Sequence, residues 1–239
     1  MTFCYFATFH GAPEARIGDD EIARLVDIAK ATPGLDTALI HTAEQTSDPY
    51  LNDGPSPPLA LQFYFPTIEA LEAALATNGP LRALAAPDLL PSLAGATVDQ
   101  QAMLTRVFPV PDPAFRTAAD SLPCTYLVHY AGEAEDLNQW LAHYIAHHPP
   151  IMARFPGIRQ IEIYTRIDWC GFLPWARVDH MQRNKVVFDS ATALTAALNS
   201  PVRDEMRADF NRFPPYRGGN AHFPMATRTV SVLPNRRSA

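Results

Sequence analysis

The sequence predicts an α+β protein built from two tandem βαββαβ units. The chain repeats itself: Pro33-Gly34-Leu35 is echoed by Pro156-Gly157-Ile158, and Phe63-Tyr64-Phe65 by Val186-Val187-Phe188, both at an offset of 123 (156 − 33; 188 − 65). Three further blocks recur in the same order. The helical pattern of 67–75 returns at 190–198, Pro80-Leu-Arg82 as Pro201-Val-Arg203, and Met103-Leu-Thr-Arg106 as Met225-Ala-Thr-Arg228. So long a period marks a duplicated domain rather than a solenoid unit. We place the first repeat at 1–110, a Pro-rich linker at 111–123 and the second repeat at 124–239.

The first copy opens on a strand at Phe3-Cys4-Tyr5-Phe6, and its first helix spans Glu21–Ala31. In the second copy, Thr125–Tyr130 is rich in β-branched and aromatic residues and reads as a strand. Leu137, Trp140, Leu141, Tyr144, Ile145 and His148 then recur at helical spacing. Acidic Glu133–Asp136 suits the start of that helix, and Pro149-Pro150 is expected to end it. Arg159–Arg166 alternates apolar and polar residues as a half-buried strand does. A long connection to about Arg183 leads to a third strand, Lys185–Phe188. Ser190 is placed to cap a second helix, and a last strand falls near Met225–Val232. This order is that of the ferredoxin-like unit. Right-handed crossovers put both helices on one sheet face. The other face needs a cover, which the second copy supplies by packing sheet against sheet around a barrel-like core.

Composition excludes several classes. Of the 239 residues 47% are hydrophobic and 18% charged, ordinary for a globular domain, and the formal charge of −6 argues against nucleic-acid or anionic-membrane partners. No apolar run reaches membrane-spanning length. The N-terminus has neither a basic segment nor a small-residue cleavage site, so a cytoplasmic protein is expected. Three scattered cysteines read as reduced thiols rather than a disulfide frame or a zinc site.

His148-Pro-Pro-Ile-Met-Ala-Arg-Phe-Pro156-Gly157-Ile158 resembles the signature of the EthD-like family in the dimeric α+β barrel superfamily. In that family a helix ends in His, Pro and an aliphatic residue, and a Pro-Gly-aliphatic turn leads into the second strand. The resemblance implies an intrachain dimeric α+β barrel with a small cyclic or aromatic substrate between sheet and helices. Relatives include cofactor-independent monooxygenases, muconolactone-type isomerases, polyketide cyclases and haem-dependent chlorite dismutases. The first copy departs from the pattern, since Leu25 stands where the motif places His, and reads as scaffold.

The site is therefore expected in the second repeat. His148, on the apolar stripe, is the leading acid/base candidate, with Tyr144 one turn before it; the alternative is a structural His at the helix end. In Tyr216-Arg217-Gly-Gly-Asn-Ala-His222 the glycines would admit a ligand, Arg217 an enolate and His222 a second proton transfer; the alternative is a surface turn. Trp169, Trp175 and His180, on an aromatic connection, would roof a substrate or bury a subunit interface, which leaves a homodimer open. Tyr164 completes the expected binding set. His143 and His147 read as a solvated pair, and no metal site is expected. Three functions follow: a cofactor-free isomerase, cyclase or lyase of aromatic catabolism, a haem- or oxygen-dependent oxidoreductase, or a non-catalytic ligand-binding barrel.

Overall fold

A computed structural model describes residues 1–50 and 53–232; the final residues 233–239 of the expected second repeat lie outside them. The first repeat comprises β1 (Thr2–His10), α1 (Asp19–Lys30), β2 (Thr37–Ala43), β3 (Leu59–Phe65), α2 (Ile68–Ala74) and β4 (Thr97–Phe108). The second comprises β5 (Cys124–Tyr130), α3 (Leu137–Met152), β6 (Ile158–Arg166), the two-residue β7 (Ala176–Arg177), β8 (Gln182–Phe188), α4 (Ala191–Leu198), α5 (Pro201–Phe210) and β9 (Asn220–Ser231). The Pro-Gly turns before β2 and β6 need glycine. Gly34 and Gly157 have φ of +75° and +76°, which side-chain-bearing residues adopt at a cost.

Eight strands close one antiparallel barrel in the order β1-β3-β2-β9-β5-β8-β6-β4, with β4 returning to β1. The repeats meet edge to edge, through β2–β9 and β6–β4, rather than by stacking one sheet on another. Edge closure pairs backbone groups that stacked sheets would leave open. The two seams share a register: Ala43 lies opposite Met225 and Arg166 opposite Met103, equivalent pairs under the repeat.

Strand alternation separates two environments. Outward residues such as Tyr5, Leu61 and Phe63, or Tyr130, Ile163 and Phe188, form one apolar core per repeat beneath its helices. Inward residues are largely polar, among them Gln62, His41, Tyr164, Arg183 and Lys185, all buried.

Three expectations needed correction. Helix α3 runs through Pro149 and Pro150 to Met152. Pro149 and Pro150 have no N–H to give to the carbonyls of Ile145 and Ala146, so the helix runs through them with two bonds of its ladder missing, and Ala153 N–H closes the last turn on Pro149 O at 2.9 Å. Helix α5 was not foreseen; the first repeat has only short 3₁₀ turns at Pro80–Ala85 and Pro91–Leu93 there. The last strand starts at Asn220, so His222 is a strand residue.

Candidate functional site in the second repeat

The 15-residue connections β2–β3 (44–58) and β6–β8 (167–181) each cross to the other repeat. Residues 167–181 reach the first repeat, where buried Trp169 meets Tyr5 edge-on at 6.0 Å and Trp175 meets Phe9 at 5.4 Å. Arg82 donates to Phe172 O at 2.9 Å, and Gln100 to the carbonyls of Leu173 and Trp175 at 3.2 and 2.9 Å. Residues 44–58 reach the second repeat in the mirror sense. Arg203, the repeat partner of Arg82, forms a paired ion bridge to Asp48 (closest 2.9 Å), while His222, the partner of Gln100, binds Asp53 at 2.7 Å. Tyr126 also donates to Asp48 at 3.1 Å, and Tyr50 to Asp204. One connection thus fills its sheet–helix gap with an indole. The other closes its gap with polar contacts and leaves a pocket.

That pocket is lined by Tyr126, Tyr130 and Val128 of β5, His148 and Met152 of α3, Asn184 of β8, Arg203, Met206 and Arg207 of α5, and Asn220 and His222 of β9. It encloses about 60 Å³. An apolar cavity of about 150 Å³ takes benzene, so a one-ring ligand requires modest movement here, which unbranched Met152 and Met206 allow.

His148 is 5% exposed, and its Nδ1 lies 2.7 Å from Asp209 Oδ2. The other oxygen of Asp209 is 3.2 Å from His143 Nε2. Burial pushes His148 below its ordinary range, against the upward pull of Asp209. The fitting tautomer therefore donates Nδ1–H to the carboxylate and leaves Nε2, without a protein partner among the described residues, as a lone pair in the pocket wall. Burial alone would raise Asp209, but hydrogen bonds and charge from His148 and His143 outweigh it and hold the carboxyl low. Tyr144 packs against His148 with ring centres 4.8 Å apart and accepts from Asn184 Nδ2 at 2.7 Å. Asn184 Oδ1 is buried and has no partner among the described residues. Arg207, half-buried over the rings of Phe210 and Tyr50, forms no ion pair among the described residues.

The structure thus gathers His148 and His222 at one pocket, with Tyr144 directly behind. It places the other expected residues elsewhere. Arg217 is exposed, and its glycine turn serves close backbone approach: a Cβ on Gly132 would lie 1.4 Å from Arg217 O. Tyr216 packs edge-on against Tyr130 and Trp140 behind the wall. Tyr164 points into the barrel, and Trp169 and Trp175 serve the first repeat. His180 stacks on His129 at 4.2 Å at the barrel's far end. His143 and His147 stack on each other at 4.4 Å, but His143 is bound to Asp209 rather than solvated. Asp209, Arg203 and Arg207 escaped the sequence reading along with α5. The Arg82/Arg203 echo was the one available signal. Among the described residues no group of three or more His, Cys, Asp or Glu is placed to hold a metal, and no helix is long and apolar enough to cross a membrane.

No family model matches the sequence, and no curated protein matches it. Solved structures match in fold. An anthrone oxidase-like protein is 13% identical over all of this chain and 96% of its own, with a TM-score of 0.63. A candidate monooxygenase from Fusobacterium nucleatum is 8% identical over 96% of this chain and 94% of its own, with a TM-score of 0.59. An EthD family protein from Bacillus halodurans is 16% identical over 42% of this chain and 97% of its own, with a TM-score of 0.34. With two matches spanning both chains and eight strands closed as described, the fold is that of the dimeric α+β barrels, both halves carried on one chain.

Proposed function

We propose that the pocket of the second repeat is the active site of a proton-transfer enzyme acting on a small cyclic or aromatic molecule. The observation that carries this is the buried His148–Asp209 pair in an otherwise mostly apolar wall. His148 Nε2 takes a proton from an acidic C–H or phenolic O–H, and the Asp209 carboxylate offsets the charge appearing on the ring. Arg207 lines the pocket without an ion pair among the described residues and takes the enolate formed, a role the sequence assigns to Arg217. Arg203 and His222 are committed to Asp48 and Asp53 and close the pocket instead. Return of the proton at another carbon makes the enzyme an isomerase. Attack of the enolate carbon on a carbonyl of the same molecule, with the proton passing to the new alkoxide, makes it a cyclase, and expulsion of a β-substituent that carries the proton away makes it a lyase.

A second reading has dioxygen capture the same carbanion. The names of the similar structures, an anthrone oxidase-like protein and a candidate monooxygenase, favour it. Both readings share the first step. Haem does not fit: about 60 Å³ is enclosed beside His148, far below what a macrocycle occupies, so no step is assigned to it.

Cyclohex-3-enone, a one-ring enolisable ketone, tests the shared step through deuterium uptake from D₂O and conversion to the conjugated enone. His148→Ala is expected to lower the rate about 10²-fold or more, the usual worth of a general base. Because burial depresses His148, the acid limb of kcat/KM should lie below pH 6.5, the ordinary histidine value. Asp209→Asn, which removes the upward pull, should shift that limb lower still. Exchange that is no faster than imidazole buffer, or unchanged in His148→Ala, overturns the proposal. Oxygen uptake with anthrone as probe separates the second reading from the first.

A further inference from the structure

The barrel interior holds a polar network that the pocket beside His148 does not use. Lys185, with 3% of its side chain exposed, donates to Tyr64 Oη at 3.0 Å and lies 3.4 Å from Glu162 Oε1. Glu162 Oε2 accepts from Tyr64 at 2.8 Å and from Tyr164 at 2.7 Å. Gln62 donates to both phenols at 3.1 and 3.0 Å, and its carbonyl meets His41 Nε2 at 2.9 Å. Thr227 joins His41 at 2.9 Å and donates to Thr125 at 2.6 Å. Six strands from both repeats contribute.

Above this network one barrel mouth opens into a cavity of about 450 Å³, several times the room beside His148. Thr2, Thr37, Thr125, Thr227 and Thr229 line it, with Leu39 and Val187 as apolar residues. Phe115 and Pro123 of the linker form its lip. Arg159 fixes that linker by binding Asp112 at 2.7 Å and Asp189 at 2.8 Å, and Asp189 in turn accepts from Arg116 N–H.

The ion pair is not what closing the barrel requires. At the equivalent positions the first repeat has Leu39 for Glu162 and Gln62 for Lys185 (162 − 123; 185 − 123). A buried ion pair carries a desolvation penalty, yet this one sits beside open space. Among the described residues the ammonium has two partners for its three N–H groups, and Glu162 Oε1 keeps unused lone pairs. An adjacent donor and acceptor therefore line the cavity together. A free carboxylate there would meet Glu162 and the rim residue Asp36, and a cation would meet Lys185. A hydroxyl satisfies both groups.

We propose that this barrel mouth is a second binding site, for a neutral polyhydroxylated molecule of about monosaccharide size. One hydroxyl accepts from Lys185 and donates to Glu162, neighbouring hydroxyls pair with the threonines, and the C–H face lies on Leu39, Val187 and Phe115. The site is independent of the proton-transfer pocket, so His148→Ala leaves its binding unchanged.

The test titrates the whole chain, labelled at threonine methyls, with D-glucose, xylitol and succinate by NMR. The expected result is saturable shifts of Thr37, Thr125 and Thr227 with at least one polyol and none with succinate. Lys185→Met should weaken binding about tenfold or more, the loss of one charge-assisted hydrogen bond. Thr229→Val, at an exposed position, gives a weaker loss and serves if Lys185→Met does not fold. Absence of saturable lumen shifts with both polyols, equal binding of succinate, or shifts that survive these substitutions overturns the proposal.

Discussion

His41 has none of its surface exposed, and burial together with the Lys185 charge pushes it down to about 3. His129 is driven by burial and Arg183 to about 2. Below the ordinary histidine value of 6.5, the unfolded chain binds protons at both sites and the folded chain does not. Stability should therefore fall as pH drops from 6.5, by about 1.4 kcal/mol per pH unit for each histidine until its folded value is reached. Depressed carboxyls such as Asp99 act in the same direction at lower pH. Urea midpoints between pH 7 and 5 check this, and His41→Gln should flatten the slope by one proton's share. An unchanged slope would mean that His41 protonates within the fold. At this scale the sequence was a partial guide. It brought out His148 through helical spacing and a motif, but the carboxylate that orients it lies 61 positions away. Pairing across such a distance leaves no local pattern, so Asp209 could not be read.

The two crossing connections govern the elements above those residues. Trp169 fills the first repeat's sheet–helix gap, so Trp169→Ala is expected to cost about 3–5 kcal/mol in urea unfolding. Added indole should restore part of that loss by refilling the cavity; a loss under about 1 kcal/mol would show that the gap collapses without its plug. On the other side, Arg203→Met frees Asp48 and should raise KM for a pocket substrate more than it lowers kcat. The aromatic character of 167–181 was plain from composition. Its destination was not, because alternation and helical spacing describe how a segment folds on itself. A loop that crosses to another repeat obeys neither period.

For the whole molecule, the duplicated blocks carried the most structural information. Five echoes at offsets of 121 to 123 placed the strands to within a few residues and implied two matched halves. The family resemblance already implied that the two halves form a barrel, but their edge-to-edge joining through β2–β9 and β6–β4 was hidden, since the inward faces are polar and read in sequence like solvent-facing positions. The matched seams make a further prediction. A chain holding only the second repeat would expose β6 and β9, which pair with β4 and β2 in equivalent registers. It should self-associate into a two-fold dimer with a β6–β9 seam on each side, measurable by sedimentation. A stable monomer would show that the seams do not complement each other.

The reciprocal crossing of the two connections also bears on how such a chain diverges. In a homodimer every substitution arrives twice, once in each gap, so an indole that plugs one pocket plugs both and abolishes the site. Fusing the halves removes that coupling. One connection becomes free to acquire Trp169 and lend rigidity, while the other keeps small acidic residues over an open pocket. Covalent linkage thereby turns one surface constrained to be good at two tasks into two surfaces, each selected for one.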